Sequence, residues 1–344
     1  MALTINTNIS SIVAQRNLNS ATTMLNAAIE RMSTGYKINH ASDNAAGYSI
    51  SNMWTTQLGS LDIAADNAAA GADMLTTAEE TYSLLTAHLQ RVRDLAEQAA
   101  NGTFGSQSLR SIQSEVLARL QEVKRMSANA EFNGIKLMMY DLSGTDESNA
   151  GLGITSAGVN LQVGLYSDAN NVINLETKLF ADASVSGLFK GMLNKTLGGE
   201  KDLSYIIGAA YSGVDTATLN DETKGMLALS LACAGLKYDA TNDDFAVQND
   251  GKATAREMLR FIDSAINQIS SRVTAIGSAQ NRVASAISAI SVQSQNITSS
   301  LSTLRDSDIA VESSKYISAQ ILQQATATLL STANQTPSIA LNLL

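Results

Sequence analysis

The feature that most restricts the fold is a regular spacing of apolar residues across the C-terminal part of the chain. From Leu259 to Leu304, fourteen positions follow one another at alternating intervals of three and four residues, and twelve of them are apolar. These twelve are Leu259, Ile262, Ile266, Ile269, Val273, Ile276, Val283, Ile287, Ile290, Ile297, Leu301 and Leu304. Such spacing over more than six heptads is typical of a long helix that packs along its whole length in a coiled coil.

Two more helices are predicted in the first 130 residues. Residues 50–99 carry the same spacing, and a shorter amphipathic stretch covers residues 108–128. The first of these seams consists of Ile50, Trp54, Gln57, Leu61, Ala64, Ala68, Gly71, Leu75, Ala78, Tyr82, Leu85, Leu89, Val92, Ala96 and Ala99. The shorter stretch places Leu109, Ile112, Val116, Leu120 and Val123 on one side. The chain has a single proline, Pro337, which agrees with a mainly helical fold because proline breaks helices.

The two ends of the chain are almost free of charge. Residues 1–29 contain only Arg16 as a charged residue, and residues 316–344 contain none, although both ends keep helical apolar spacing. A helix in water normally has a charged outer face. We therefore predict that the ends are buried against other protein in an assembly, and the alternative is a frayed, low-complexity tail. The apolar positions predicted for this role in the C-terminal tail are Leu322, Ala325, Leu329, Leu341 and Leu344.

The middle of the chain has a different composition. The whole net charge of −9 lies in residues 141–250, and 15 of the 22 glycines lie between Gly134 and Gly251. Asn133-Gly134 predicts a tight hairpin, and residues 161–164 and 172–175 predict a second one. An acidic module argues against nucleic-acid binding, because neutralising phosphates needs a basic patch.

Catalytic chemistry has little support in the sequence. The two histidines, His40 and His88, are far apart, and the zinc, dithiol and phosphate-loop motifs of enzymes are missing. The single cysteine, Cys233, lies in an apolar stretch and is interpreted as a small buried residue. The sequence therefore predicts no enzyme, no metal site and no cofactor. It has no signal-peptide pattern and no run of 18 apolar residues, so composition alone predicts a soluble, cytoplasmic protein outside the membrane.

Five blocks of the sequence are distinctive: MSTGYKINHASDNAAGYSI at residues 32–50, LQRVRDLAEQAANGT at 89–103, FNG at 132–134, RDSDIA at 305–310 and ANQTP at 333–337. In order and spacing, these blocks resemble those of bacterial flagellins. The resemblance covers about residues 1–178 and 254–344. The lone cysteine departs from the cysteine-free habit of that family.

The resemblance implies a mainly α fold in which the N- and C-terminal segments form a long antiparallel coiled-coil or helical rod, with β-hairpins and an inserted α+β outer domain. The implied domains are a terminal coiled-coil domain at 1–43 and 300–344, a rod at 44–178 and 254–299, and a variable outer domain at 179–253. It also replaces the cytoplasmic prediction, because flagellins leave the cell through the flagellar type III export apparatus without a cleaved signal peptide.

The function implied by the resemblance is that of a structural subunit that polymerises into the flagellar filament for swimming. The implied partners are other copies of the chain, an export chaperone at the C-terminal tail, and the filament cap and hook-junction proteins. Three alternatives stay open: a hook–filament junction protein, a flagellin with a metallopeptidase insert, and an unrelated secreted coiled-coil translocator. The second needs a zinc motif, and residues 141–253 contain no histidine.

The resemblance also implies a patch for the host Toll-like receptor that senses flagellin, at Arg91, Leu95 and Glu115. On a helical wheel, Arg91 and Leu95 are expected to share a face turned away from the seam through Leu89. Finally, residues 35–47 are expected to form a hinge between the N-terminal helix and the rod, in which Asn39, Asp43 and Asn44 satisfy backbone donors or cap the next helix.

Overall fold

The computed structural model describes residues 8–139, 158–166, 168–190, 222–239, 244–247 and 251–342. The mainly α prediction is confirmed. The helices are α1 (Ile9–Thr34), α2 (Ala45–Ala100), α3 (Ser106–Asn129), α4 (Val185–Lys190), α5 (Glu222–Ala234), α6 (Gly251–Arg305) and α7 (Ile309–Asn342). The strands are β1 (Glu131–Phe132), β2 (Ile135–Lys136), β3 (Val159–Gln162), β4 (Val172–Leu175), β5 (Leu236–Asp239) and β6 (Asp244–Val247).

The chain divides into two compact units. One consists of Met1–Asp62 and Ser291–Leu344, and the other of Ile63–Ile290. Each long helix, α2 and α6, contributes to both. The finer predicted boundaries, at 43/44, 178/179, 253/254 and 299/300, stay predictions.

In the terminal unit, α1 and α7 run antiparallel. The Asn8 side-chain amide donates to the carbonyl oxygen of Ala333 at 2.7 Å. At the middle of the pair, the Gln323 amide donates to the Thr22 hydroxyl at 3.2 Å. The side of α1 that faces α7 is built on the buried residues Ala14, Ala21 and Ala28, spaced by seven. Because alanine is small, the two helix axes can approach closely along this line.

One of the two predicted rows of the α6 seam is buried from Ile262 to Ile290. Ile262, Ile269, Ile276, Val283 and Ile290 are buried and spaced by seven residues. The second row is displaced by one residue from the prediction. The predicted positions Leu259, Ile266, Val273 and Ile287 are half-buried, whereas Met258, Ala265 and Ala279 are the fully buried ones.

The reason for the displacement is geometric. The buried stripe lies between the Ile262 row and the positions three residues after it, of which Ala265 and Ala279 are buried. The residue after each of these positions lies at the edge of the stripe, as at the a, d and e positions of a heptad. The C-terminal members Ile297, Leu301 and Leu304 are half-buried in the terminal unit.

The predicted seams of α2 and α3 are confirmed almost throughout. From Leu61 to Ala99 each predicted position of α2 is buried, and the five predicted positions of α3 are buried as well. At the start of the seam, Trp54 and Gln57 are half-buried, and Ile50 is exposed over 38% of its surface.

Both predicted hairpins are present, although the first strand of the second one, Val159–Gln162, begins two residues earlier than predicted. In the first, Phe132 pairs with Ile135, and the turn residues Asn133 and Gly134 have φ angles of 49° and 79°. Two positive φ values are what a type I′ turn requires, and asparagine and glycine adopt them most readily. The second pairs β3 with β4 antiparallel, from Val159 opposite Leu175 to Gln162 opposite Val172.

The described part of residues 179–253 is α+β, with α4, α5 and the antiparallel pair β5–β6. Its buried residues, including Phe180, Leu188 and Leu231, join the same hydrophobic core as α2, α3 and α6. A buried hydrogen bond of 3.0 Å from the Gln113 amide to the Ser230 hydroxyl ties α3 to α5. The described part of this segment therefore belongs to the same hydrophobic core as α2, α3 and α6.

Candidate functional site

The two segments that connect the terminal helices to the long helices are joined to each other. Tyr36 and Asp306 form an antiparallel β-bridge. The backbone N–H of Lys37 donates to the Arg305 carbonyl at 2.7 Å, and that of Ser307 donates to the Gly35 carbonyl at 2.8 Å. The guanidinium of Arg305 stacks over the Tyr36 ring at 4.0 Å, as in a cation–π contact. The segment that follows α1 and the segment that precedes α7 are therefore bound to each other and form the terminal joint.

Within the loop of residues 35–47, the predicted polar residues satisfy the backbone. The Asp43 carboxylate accepts from the backbone N–H groups of His40 at 3.0 Å and Asn39 at 3.1 Å. These hydrogen bonds, the His40 one first, lower the pKa of Asp43 because they stabilise its charged form. Asn44 caps α2 by accepting from the Gly47 N–H at 2.9 Å. Gly35 ends α1 in the left-handed conformation, with φ of 74°.

A charged cluster lies where α1, α7 and this loop meet. Glu312 is only 4% exposed and receives the Lys315 ammonium on Oε1 at 2.7 Å. The Arg31 guanidinium lies 3.8 Å from the same oxygen and 3.9 Å from Asp43. Oε2 of Glu312 is buried and has no hydrogen-bond partner among the described residues. Sequence reasoning missed Glu312; a signal was present, because it is one of the last charges before an uncharged tail.

The outer sides of α1 and α7 carry large exposed apolar residues. On α1 these are Ile9, Ile12, Val13, Met24 and Ile29, and on α7 they are Ile309, Val311, Ile317, Ile321, Leu322 and Leu329. A set of this size on one helix pair is typical of an interaction surface. The described parts of the two helices therefore present a broad apolar surface.

The predicted tail residues belong to this exposed surface. Leu322 and Leu329 are 50% and 61% exposed, and Ala325 is exposed. The residues of α7 that face α1 are a different set, namely Tyr316, Ala319, Gln323, Thr326, Leu330 and Ala333. Leu341 lies in the last turn of α7 but its side chain is not described, and Leu344 lies outside the described residues.

The predicted receptor residues are only partly brought together. Arg91 Nε donates to Glu115 Oε1 at 2.9 Å, and both side chains are partly exposed. Leu95, however, is 2% exposed and belongs to the core. The expectation that Leu95 shares an outward face with Arg91 is wrong. Leu95 is buried because α2 packs against the core over a wider arc than its seam, and this arc includes Met74 and Leu95.

Cys233 is fully buried, as expected, and desolvation raises the pKa of its thiol to about 12. Within the described residues, no group of three or more His, Cys, Asp or Glu side chains is placed so that it could hold a metal ion. The helices of the described ranges include none that is long and apolar enough to cross a membrane.

Comparison with known proteins identifies the family. The sequence model of the bacterial flagellin N-terminal helical region matches residues 5–141, and that of the C-terminal helical region matches residues 259–344. A flagellin of Serratia marcescens is 35% identical, and polar flagellin F of Vibrio parahaemolyticus is 32% identical. Both alignments cover all of this chain and all of the relative.

The chain is a bacterial flagellin. It is a structural subunit of the flagellar filament, serves motility, and is not an enzyme. Flagellins assemble with copies of themselves. The match over the full length of named flagellins favours the filament subunit over the junction protein.

Proposed function

We propose that the exposed apolar sides of α1 and α7 are the surfaces through which this flagellin polymerises. The observation that carries the proposal is the set of exposed large apolar residues on a helix pair whose ends are almost uncharged. In water this surface is costly, and between subunits its burial is favourable by about 25 cal/mol per Å² of apolar area. Repeated contacts between unlike surfaces produce an open fibre when they do not close into a ring.

The same surface suggests how the subunit is handled before assembly. The C-terminal tail, including Leu322, Ala325, Leu329, Leu341 and Leu344, is the segment that an export chaperone covers, and the chain is secreted through the flagellar export apparatus to the cell exterior. The filament cap and the hook-junction proteins then meet the same terminal helices. The uncharged sequence of residues 316–344 supports this proposal, because an exposed apolar stripe would otherwise associate prematurely.

Deletion of residues 316–344 tests the assembly surface. The truncated chain is expected to remain a monomer whose rod helices unfold cooperatively, and to form no filaments when seeded with short fragments of parent filaments. Electron microscopy detects the filaments, and circular dichroism follows the unfolding. Filaments of the truncated chain would contradict the proposal, whereas loss of cooperative unfolding would show that the tail also stabilises the rod.

A second proposal concerns the host. Arg91 and Glu115 form an exposed ion pair on neighbouring helices, which makes them available to the Toll-like receptor that senses flagellin. Leu95 contributes only by supporting α2 from the core. A reporter-cell assay of the monomer is expected to show a weaker response for an Arg91→Ala, Glu115→Ala double variant than for the parent. A matched control is Arg125→Ala, Glu122→Ala, which removes an exposed pair elsewhere on α3. Equal responses of both variants would place the patch elsewhere.

A further inference from the structure

Arg16 is an isolated charge on the assembly surface. It is the only charged residue in residues 1–29, and no charge follows residue 315. Its side chain is exposed, and it makes no ion pair or hydrogen bond with any residue in the described ranges. When the outer side of α1 is covered in an assembly, an unpaired guanidinium there is strongly unfavourable. Arg16 therefore needs a carboxylate from the molecule that covers it.

Glu312 offers the matching acceptor. Its Oε2 is the one carboxylate oxygen of the described residues that is buried and lacks a hydrogen-bond partner. Buried polar atoms are nearly always paired, so an unpaired one indicates a missing donor. Other carboxylates of the terminal helices are engaged, since Glu30 pairs with His40 at 2.8 Å and Asp308 caps α7.

The surroundings of Glu312 suit a cation. The cavity beside it is lined by four carboxylates, including those of Asp306 and Asp308, and by three cationic side chains. One further positive charge would balance this set. The cavity continues into a groove between α1 and α7 with Met24, Ala27, Ser318 and Leu322 in its walls. These walls have the small and apolar residues that a packed helix needs.

The pair cannot form within one chain. Glu312 contacts Arg31, and Arg16 lies fifteen residues before Arg31 on the same straight helix, which is about 22 Å away at 1.5 Å per residue. Donor and acceptor are thus at opposite ends of the same helix pair. A contact between them in two copies is heterologous, and it leaves a free donor at one end and a free acceptor at the other, so it can propagate.

We propose that the α1–α7 groove of one subunit receives the outer side of α1 from a second copy of this chain, and that Arg16 of the second copy pairs with Glu312. This contact rests on the proposed polymerisation through the terminal helices and names the residues that meet there. Ile9, Ile12 and Val13 lie next to Arg16 on the exposed side of α1, and they supply the apolar part of the contact.

The test measures the critical concentration for seeded polymerisation of the full chain. Arg16→Gln is expected to raise it at least about tenfold with unchanged helix content of the monomer, whereas Arg16→Lys keeps the charge and stays near the parent. Adding Arg16→Gln to Glu312→Gln is expected to raise it no further than Glu312→Gln alone, because both remove the same pair. Parent-like assembly of Arg16→Gln, or multiplication of the two effects, would overturn the contact. If the parent itself gave no filaments, the proposed function would fail instead.

Cross-linking locates the partner independently. Arg16→Cys is combined with Ser318→Cys in the groove or with Ile317→Cys on another exposed side of α7. Because these variants lack the Arg16 charge, filaments are grown above their raised critical concentration, oxidised and run on a non-reducing gel. The native Cys233 is buried and does not compete. A ladder of cross-linked chains is expected for Ser318→Cys and not for Ile317→Cys. A ladder with Ile317→Cys only, or with neither, would contradict the contact; if the cysteine variants do not assemble, the comparison of Arg16→Gln with Arg16→Lys decides.

Discussion

The hydroxyl of Tyr82 on α2 donates a hydrogen bond of 2.9 Å to the carbonyl oxygen of Leu179, and both residues are buried. Arg272 of α6 lies over the Tyr82 ring and donates to the carbonyl oxygens of Ala181 and Asp182 at 3.0 and 3.1 Å. The segment that leads into the insertion is thus held by two helices that are distant in sequence. This arrangement explains why the start of the insertion shares the core of the rod.

Tyr82→Phe should lower the free energy of unfolding by about 1–2 kcal/mol, because it leaves the buried carbonyl of Leu179 without its donor. Urea denaturation followed by circular dichroism measures the change. Tyr166→Phe is the control, since that side chain is 60% exposed, and it should change stability by less than about 0.5 kcal/mol. Equal losses in the two variants would contradict the assigned role of the hydroxyl.

Ile276→Asp should destabilise the rod by several kcal/mol, because Ile276 is fully buried and the new carboxylate would have no partner. Ser278→Asp, two residues later on the exposed side of α6, should be nearly neutral. The register found here adds a second comparison: Ala279→Asn should cost more than Gln280→Asn, since Ala279 is buried and Gln280 is half-buried, and an asparagine at 280 introduces no charge beside Glu79. Thermal unfolding measures all four, and the opposite order for the second comparison would restore the register predicted from sequence.

Buried positions were predicted most accurately in the helices with the longest heptad pattern. Over the long helices, many repeats fix the buried side, and the Ile262 row was identified correctly. The Ile262 row alone does not determine whether the second buried row follows it by three or by four residues, because both positions are apolar after Ile262 and after Val283. Leu95 was misplaced for a related reason. The width of the buried arc of α2 depends on how many elements pack around this helix, and the spacing of apolar residues within α2 does not reveal that number.

The terminal joint could not be predicted from the sequence. The bridge between Tyr36 and Asp306 joins residues 270 positions apart, and neither segment has a periodic pattern that would predict the pairing. The same holds for Glu312, whose contact with Arg31 depends on the antiparallel register of α1 and α7. The individual roles of Asp43 and Asn44 were predictable because they act on backbone groups within a few residues.

Asp43→Asn should loosen the loop at neutral pH, and the effect should fade in acid. The pKa of Asp43 is lowered in the folded chain, chiefly by the hydrogen bond from the His40 N–H. A lowered pKa of an acid in the folded state gives stability that is present above the unfolded pKa and is lost as pH falls through the folded one. The Tm of the parent should therefore exceed that of Asp43→Asn at pH 7, and the two should converge in strong acid, below about pH 4. Asp62→Asn on the exposed side of α2 serves as the control, and a Tm difference that persists at pH 2 would argue against this origin.

Leu95→Ala and Arg91→Ala should differ sharply in stability, and this difference is needed to interpret their effects on receptor signalling. Leu95 is 2% exposed inside the main core, so its truncation removes buried methyl groups and leaves a cavity, at a cost of about 2–5 kcal/mol. Arg91 loses only a partly exposed ion pair with Glu115, worth less than about 1 kcal/mol. Urea denaturation of the two single variants measures the difference. A weaker receptor response of Leu95→Ala would then reflect a destabilised α2. A weaker response of Arg91→Ala, whose stability stays close to that of the parent, would instead show that the receptor binds this surface. A small stability loss for Leu95→Ala would contradict its place in the core and return it to the surface patch.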